Sequence, residues 1–242
     1  MEHFTYFILI LPIVSFLYSS VGHGGASGYL ALMALFSFPN ELMKQTSLIL
    51  NLFVAGIAFY QYYKGGHFKF KSFMWFAIGS IPSAYIGGAI NIEPDLYKKV
   101  LGVLLIFAVL RILFKPSYNS QTKTIIPYQA IIFGILIGFF SGLIGIGGGI
   151  ILTPLLLLMN WSSMKEAATI SALFIWVNSS AALLGQFSID SSFPTTILPM
   201  IAVALVGGFI GSYYGSKKWS NKKLEYFLIV VLAAASFKLL LL

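Results

Sequence analysis

A glycine-rich tetrad occurs twice in this chain, as Gly22, His23, Gly24 and Gly25 and again as Gly145, Ile146, Gly147 and Gly148. Each copy interrupts a long apolar run, and the copies are 123 residues apart. The same offset places Phe16 on Phe139 and Thr46 on Thr169 without a gap. Such a fixed register indicates a duplication. Glycine-broken segments at matching positions of two hydrophobic halves are typical of the transport sites of secondary carriers.

Composition points to a membrane as the surroundings of this chain. Of its 242 residues, 58% are hydrophobic and 9% are charged, which leaves too little polar surface to cover a soluble globule. The absence of cysteine excludes disulfides and Cys-ligated metals. Glu2 and His3 stand where a cleaved signal peptide would carry basic residues, so we expect residues 4–21 to be a retained helix.

Ten apolar runs follow one another, five in each half, near residues 4–21, 26–38, 46–63, 73–92, 100–114, 125–144, 150–161, 167–185, 195–214 and 224–242. The second and the seventh are shorter than the ~20 residues that span a bilayer as a helix. We therefore expect them to be re-entrant or half-depth helices whose glycine-rich entrances lie inside the membrane.

Loop charges test this number of segments. If all ten runs reverse the chain, eleven of the 15 basic residues fall on one side, and the other side has Lys44, Lys98, Lys99 and Lys238. If the two short runs are ignored, the split becomes eight against seven. Cytoplasmic loops carry an excess of Lys and Arg, which favours ten segments. A re-entrant hairpin and two full crossings have the same parity, so both stay open for the short runs.

Five reversals per half make the second half enter the membrane from the opposite side. The expected fold is an all-α integral membrane protein of two inverted repeats, residues 1–114 and 125–242, joined by a short polar cytoplasmic linker, residues 115–124. Both termini are then periplasmic or extracellular, and a pseudo-two-fold axis in the membrane plane brings the tetrads together near the midplane.

The glycine breaks suit an anion. Gly147, Gly148 and Gly149 lead into one short helix, and Gly24 and Gly25 lead into the other. Glycine lets a ligand approach the main chain, and a helix N-terminus presents unpaired N–H groups with roughly +0.5 of a charge. The alternative is that the glycines only permit close helix packing, which is the interpretation given to Gly134, Gly138, Gly142, Gly211 and Gly215.

Titratable residues further favour an anion. All seven acidic residues fall in loops or at segment ends, whereas cation carriers place carboxylates along the path. His23 is the titratable residue of the first tetrad and could add a proton's charge to an anion site, which makes coupled protons conceivable. The alternative for His23 is a neutral ring bonded to a carbonyl. Polar side chains near the breaks that could also donate to the anion are Ser20, Thr46, Asn51, Thr169, Ser171 and Asn178, together with Ser19, Ser27, Ser47, Ser141 and Thr153.

The second-half run from Phe139 to Gly149, followed by Pro154 and by Ala167, Ala168 and Thr169, resembles the sulfite exporter TauE/SafE family, also called the four-toluene-sulfonate uptake permease group. The resemblance covers essentially the whole chain. It implies a bacterial inner-membrane carrier of sulfite, thiosulfate, sulfoacetate or related sulfonates. The first copy differs in having His23 and Ala26 where the second has Ile146 and Gly149, so the motif assigns no role to His23.

An alternating-access secondary carrier, with one repeat rocking against the other, is the leading hypothesis. An anion channel of the same fold is the alternative. A membrane enzyme is less favoured, because the sequence has no zinc-binding His pair, Gly-x-Ser-x-Gly elbow or intramembrane carboxylate pair, and no nucleotide-binding loop occurs. The expected partners are a small anion and the lipid bilayer, with no cofactor, metal or nucleic acid. The residues alone favour no single anion, transport direction or oligomeric state.

Overall fold

The computed structural model of the protein describes residues 2–91, 122–189 and 197–218, with scattered positions between 93 and 113 and between 233 and 237. These ranges contain helices and no strands, which confirms the expected all-helical fold there. The helices are α1 (Glu2–Ser20), α2 (Ala26–Leu35), α3 (Asn40–Tyr63), α4 (Phe70–Ala89), α5 (Pro127–Ile144), α6 (Gly149–Leu158), α7 (Met164–Phe187) and α8 (Ile197–Lys217). The expected fifth and tenth segments and most of the linker lie outside the described residues.

Four of the described helices, namely α3, α5, α7 and α8, are long and apolar enough to cross a membrane. In contrast, α2 and α6 have ten residues each, which is about 15 Å of helix and half of a bilayer's ~30 Å hydrocarbon core.

The helix ends follow local signals. Pro127 occupies the first turn of α5, and Ser163 and Glu166 form a capping box at the start of α7.

The start of α3 differs from the expectation. The helix begins at Asn40, directly after Pro39, so Lys44 lies in its second turn and not in a loop. Lys44 is 7% exposed, and its Nζ donates to the carbonyl oxygens of Gly88 at 2.8 Å and Ile90 at 3.1 Å. These carbonyls end α4, where a cation is favoured. Because these carbonyls satisfy the Lys44 ammonium group, the turn of α3 that contains Lys44 can be buried.

Helices of different halves pack side by side with their chains parallel. This packing joins α1 to α8 and α4 to α5, and glycines let the two backbones touch in each pair. The contacting pairs are Pro12–Gly207, Phe16–Gly211 and Ser20–Gly215 between α1 and α8, and Phe76–Gly134, Ser80–Gly138 and Ala84–Gly142 between α4 and α5. Because the numbers rise together in each series, α1 runs parallel to α8, and α4 runs parallel to α5.

The short helix α2 turns the chain back along α1. Its first turn lies beside the end of α1, where Ser27 Oγ donates to Tyr18 Oη at 3.0 Å. The chain that leaves α2 reaches the beginning of α1, where the Phe38 and Phe7 rings lie 4.7 Å apart. Helix α3 then runs in the direction of α1.

The second short helix, α6, does the same along α5. The Lys123 amide, just before α5, donates to the Asn160 carbonyl, just after α6, at 2.6 Å. Glu166, at the start of α7, binds Lys69, at the start of α4, at 2.8 Å. Helices α4, α5 and α7 therefore begin at one end of the molecule, and α1, α3 and α8 run the opposite way.

The end at which α4, α5 and α7 begin is rich in lysine, and we call it the lysine-rich end. It carries seven described lysines: Lys64, Lys69, Lys71, Lys123, Lys165, Lys217 and Lys218. The described lysines elsewhere are Lys44 and Lys99. If all ten apolar runs reverse the chain, the sequence also places these seven lysines on one side of the membrane.

The described helices share two main apolar clusters. One joins α1 and α2 with parts of α3 and α8, and it includes Phe7, Leu30 and Met200. The other joins α4, α5, α6 and α7, and it includes Phe76 and Trp161. Each cluster therefore combines helices from both sequence halves.

Candidate anion site at the helix breaks

The two glycine tetrads leave their helices along the same backbone path. Gly22 has a φ of 81° and Gly145 a φ of 86°. The next amide in each copy, that of His23 or Ile146, donates to a carbonyl five residues back, at 3.0 and 3.1 Å. This geometry ends a helix through a left-handed residue, a conformation that glycine adopts without a Cβ penalty. The duplication seen in the sequence is thus also a duplication of backbone conformation.

Both short helices begin with open N-termini. Gly25 and Gly148 precede α2 and α6 with φ values of 103° and 79°, and neither has a side-chain cap. In the first copy the Ala26 amide donates to Asn51 Oδ1 at 3.1 Å. In the second copy, the amides of residues 147–149 have no acceptor within the part of the chain that the structure describes. Unpaired N–H groups at a helix start favour a negatively charged partner.

Asn51 lies between the two breaks. A Cβ added to Gly24 would be 2.5 Å from Asn51 Oδ1, and one added to Gly147 would be 2.7 Å from Asn51 Nδ2. Asn51 Nδ2 also donates to Ser179 Oγ of α7 at 3.1 Å. Ile175 contacts both glycines from the other side. One amide side chain therefore holds the first break, the second break and α7 together.

The breaks lie beside the middles of the two longest helices. Asn51 is the central residue of the 24-residue α3, and Ile175 is the central residue of the 24-residue α7. Asn51 is fully buried, and Ile175 is 2% exposed. Since α2 and α6 run toward opposite ends of the molecule, their N-termini face each other across Asn51.

A chain of hydrogen bonds crosses from the first half to the second. His23 Nε2 lies 2.8 Å from Thr153 Oγ1 of α6, and the Thr153 hydroxyl donates to Ser171 Oγ of α7 at 2.7 Å. The backbone carbonyl of Gly149 also accepts from the ring N–H. The counterpart of His23, Ile146, packs in an apolar cluster. The site is therefore polar on one side and apolar on the symmetry-related side.

The outer parts of the breaks pack on the second turns of α3 and α7. A Cβ at Gly22 would be 2.7 Å from Ala168 Cβ, and one at Gly145 would be 3.0 Å from the Lys44 carbonyl. Ser47 Oγ donates to the Gly145 carbonyl at 2.8 Å. Gly22 and Gly145 therefore anchor the breaks, whereas Gly24 and Gly147 lie beside Asn51.

Other side chains selected from the sequence bond within their own helices. Ser20 Oγ donates to the Leu17 carbonyl, Thr169 Oγ1 to the Lys165 carbonyl and Asn178 Nδ2 to the Phe174 carbonyl, at 2.7 to 2.8 Å. Asn178 Oδ1 is buried with no partner among the described residues. Thr46 is buried one residue before Ser47, and the structure assigns it no bond to either break. The candidates whose side chains connect the breaks to other elements are His23, Ser47, Asn51, Thr153 and Ser171.

Sequence reasoning missed Ser179 and Ile175. They lie one helical turn apart, and Ser171 lies one turn before Ile175. Residues spaced by four lie on one helix face. This polar and β-branched stripe in α7 is the signal that could have identified them.

Metal ligands are scarce in the described part of the chain. No group of three His, Cys, Asp or Glu residues there could hold a metal ion. The candidate site consists of amides, one carboxamide, hydroxyls and one imidazole.

Long apolar helices surrounding an interior polar site with two helix N-termini define a multi-pass α-helical membrane protein. The chain belongs to the sulfite exporter TauE/SafE family, whose model matches residues 7–239. This confirms the resemblance carried by the second-half motif.

Curated relatives bear the names of probable membrane transporters. The chain is 36% identical over 235 residues to probable membrane transporter protein y4hK of Sinorhizobium fredii, which covers 94% of each protein. It is 23% identical to probable membrane transporter protein YjnA of Bacillus subtilis, over 96% of this chain and 98% of the relative. Probable membrane transporter protein MJ0441 of Methanocaldococcus jannaschii is 27% identical over 76% of this chain and 75% of its own length. No solved structure matches the chain.

Proposed function

We propose that this protein is a secondary membrane carrier of small sulfur-containing or organic anions, of the sulfite, thiosulfate, sulfoacetate or sulfonate class. The observation that carries the proposal is the pair of opposed helix N-termini beside Asn51, where the amides of residues 147–149 have no acceptor among the described residues. Membership of the sulfite exporter TauE/SafE family supports the substrate class. The protein performs no chemical conversion in this proposal.

The anion would be held by main-chain amides and the dipoles of α2 and α6. Each helix end contributes roughly half an elementary charge, so two facing ends offset about one negative charge without a buried cation in contact with the ligand. Ser171 and the Asn51 carboxamide supply neutral hydrogen-bonding groups beside them. Such a site releases its ligand more readily than a fixed ion pair, as a carrier requires.

The repeats are inverted in this proposal, and α2 and α6 are half-depth helices that enter from opposite sides. Three observations support it: α1 and α3 run against α5 and α7, each short helix returns along its predecessor, and the breaks lie beside the centres of α3 and α7. Inverted repeats place a substrate site near the bilayer midplane. The lysine-rich end would face the cytoplasm of a bacterial inner membrane, with both termini outside.

Alternating access would move units that combine helices of both halves. The pair α1 and α8 and the pair α4 and α5 touch through their backbones, so sliding within a pair would disrupt close packing. The anion site lies between the two apolar clusters, and its own contacts are hydrogen bonds of single side chains. We infer that each pair moves as a rigid body and that the site opens between them. The alternative, in which one sequence half rocks against the other, would require sliding within each pair.

Binding and exchange test the proposal. Sulfite, thiosulfate and sulfoacetate are added to the purified protein, and a ligand bound by the native state should raise the Tm in a concentration-dependent way. The same anions, radiolabelled, should show counterflow in proteoliposomes against a trapped unlabelled pool. With the membrane potential clamped at zero by equal K⁺ concentrations and valinomycin, counterflow distinguishes a carrier from a channel of the same fold, because a channel then gives no uphill uptake of labelled anion. Absence of stabilisation and of exchange with all three anions would overturn the proposed function.

A further inference from the structure

The two breaks differ at one chemically important position. Where the first has His23, the second has Ile146, which is 5% exposed and packs in the apolar cluster around α1 and α2. His23 remains partly exposed, although Gly22 and Gly24 beside it are buried. An otherwise symmetric site therefore contains one imidazole, a group whose ordinary pKa lies near neutral pH, and this ring is partly exposed.

The hydrogen-bond chain from His23 has a direction. The Thr153 hydroxyl donates to Ser171 Oγ, so Thr153 Oγ1 accepts from His23 Nε2–H. The Ser171 hydroxyl in turn has no acceptor for its own proton among the described residues. The chain starts at an imidazole and ends at a free O–H donor, and each bond polarises the next. A positive charge on His23 would strengthen donation by Ser171.

Other titratable groups around the break are occupied by partners of their own. The Tyr18 hydroxyl accepts from Ser27 on α2, the Tyr29 hydroxyl of α2 donates to the Gly24 carbonyl, and that of Tyr62 on α3 donates to the Ser20 carbonyl. Lys44 on α3 caps α4, Glu166 on α7 pairs with Lys69, and α6 has no titratable residue. None of these groups contacts His23 within the described part of the chain. His23 is thus the group at this site whose change of charge is available to couple proton movement to anion movement.

We propose that His23 carries the proton that is transported with the anion. This inference rests on the proposed function. On the loading side an aqueous proton binds the free ring nitrogen, which forms an N–H bond and gives an imidazolium that offsets one negative charge of the bound anion. On the release side that N–H bond breaks, the proton returns to water, and the neutral ring keeps its Nε2–H bond to Thr153. One proton crosses with each anion.

The experiment measures anion and proton flux together in proteoliposomes that contain a pH-sensitive dye, with sulfite, thiosulfate and sulfoacetate each supplied as the driven anion. With thiosulfate or sulfoacetate driven into the liposomes, the wild type should acidify the lumen by one proton per anion. Its anion flux should fall up to tenfold per pH unit on the alkaline side. Thiosulfate stays a dianion through the neutral range, so its pH profile reports on the protein. His23→Gln should transport anion with no coupled proton and a flat pH profile.

His67→Gln is the matched control, because His67 lies in the loop between α3 and α4, away from both breaks. It should keep the wild-type ratio of protons to anions. If His23→Gln does not fold, Thr153→Val replaces it in the test. That variant removes the acceptor of the Nε2–H, and the midpoint of the pH profile should shift.

The outcomes separate the two proposals. No anion flux by the wild type with any of the three anions overturns the proposed carrier function. Anion flux without proton flux in the wild type, a ratio of protons to anions in His23→Gln equal to that of the wild type, or an unchanged midpoint in Thr153→Val overturns the role of His23 while leaving the carrier function standing.

Discussion

Gly148 has a left-handed backbone conformation and a crowded position at the entrance of α6. Its φ is 79°, and an added Cβ would lie 2.8 Å from both Ile137 Cγ2 and Phe174 Cε1. An alanine in the left-handed region costs about 1–2 kcal/mol, and two buried side chains would also have to move. We expect Gly148→Ala to insert with a lowered Tm and to bind anions at least tenfold more weakly, because the amides of residues 147–149 are redirected. Titration by thermal shift measures both effects.

Gly66 supplies the matched control for this substitution. Its φ is 74°, and among the described atoms none lies within 4 Å of an added Cβ. Gly66→Ala therefore has the same backbone cost without the crowding, in a loop at the lysine-rich end. Its anion affinity should equal that of the wild type. Wild-type affinity in a folded Gly148→Ala protein would contradict the site.

Asn51 and Ser179 give a graded prediction. Asn51→Ala leaves the buried Ala26 amide and the Ser179 hydroxyl without partners, at a cost of about 1–3 kcal/mol, and frees both breaks. Ser179→Ala removes one bond and should have a smaller effect. Ser180→Ala is the control, because Ser180 bonds to the Trp176 carbonyl of its own helix. The losses of Tm and of anion affinity should be largest for Asn51→Ala, smaller for Ser179→Ala and smallest for Ser180→Ala. Equal affinities for Asn51→Ala and Ser180→Ala would remove Asn51 from the site.

Individual residues show how far the sequence predicts the site. The glycines and Asn51 were predicted because they stand at breaks or near the duplicated threonines. Ser179 was not, because a 123-residue offset pairs Asn51 with Phe174, whereas α3 and α7 run in opposite directions and bring Ser179 to Asn51. The duplication predicts equivalent positions. Contact between the copies depends on the crossing geometry, which no repeat in the sequence contains.

At the scale of helices, glycines fix the close packing between the halves. A Cβ at Gly138 would collide with the Ser80 carbonyl, and one at Gly211 with the Phe16 carbonyl. Since a backbone cannot move aside like a side chain, Gly138→Ala and Gly211→Ala should each destabilise by about 1–3 kcal/mol despite the better helix propensity of alanine. Gly56→Ala is the control, because its Cβ would meet the exposed Trp176 ring at 3.3 Å. A wild-type Tm for both Gly138→Ala and Gly211→Ala would contradict the backbone contact.

Helix bounds were largely predictable, whereas helix partners were not. Glycine and proline mark most ends, so α1, α4, α5 and α6 lie close to their expected ranges. The start of α3 was missed because Lys44 reads as a loop residue until its carbonyl partners on α4 are known. The small-residue faces of α5 and α8 were recognised as packing surfaces. That α5 packs on α4 and α8 on α1 follows from the tertiary fold and from no local pattern.

The orientation of the whole molecule can be tested by labelling, because the chain contains no cysteine. His67 lies at the lysine-rich end, and Asn91 follows α4 at the opposite end, where it is exposed. Since basic ends face the cytoplasm, Asn91→Cys should react with a membrane-impermeant maleimide in intact cells, and His67→Cys only after permeabilisation. A third variant, with both cysteines, checks that the two labels add. Reaction of both single variants from the same side would contradict the helix directions.

The same cysteine-free background identifies the moving units. A Cβ at Gly208 of α8 would lie 3.2 Å from Ser15 Oγ of α1, so Ser15→Cys with Gly208→Cys should form a disulfide on oxidation. If whole sequence halves rock against each other, α1 and α8 must slide, and the bridge stops exchange. If the α1 and α8 pair moves as one body, oxidised protein should keep at least about half of the exchange rate of the reduced protein. Exchange that disappears on oxidation and returns on reduction would show that the halves move as units, because a bridge within a rigid pair has no motion to block.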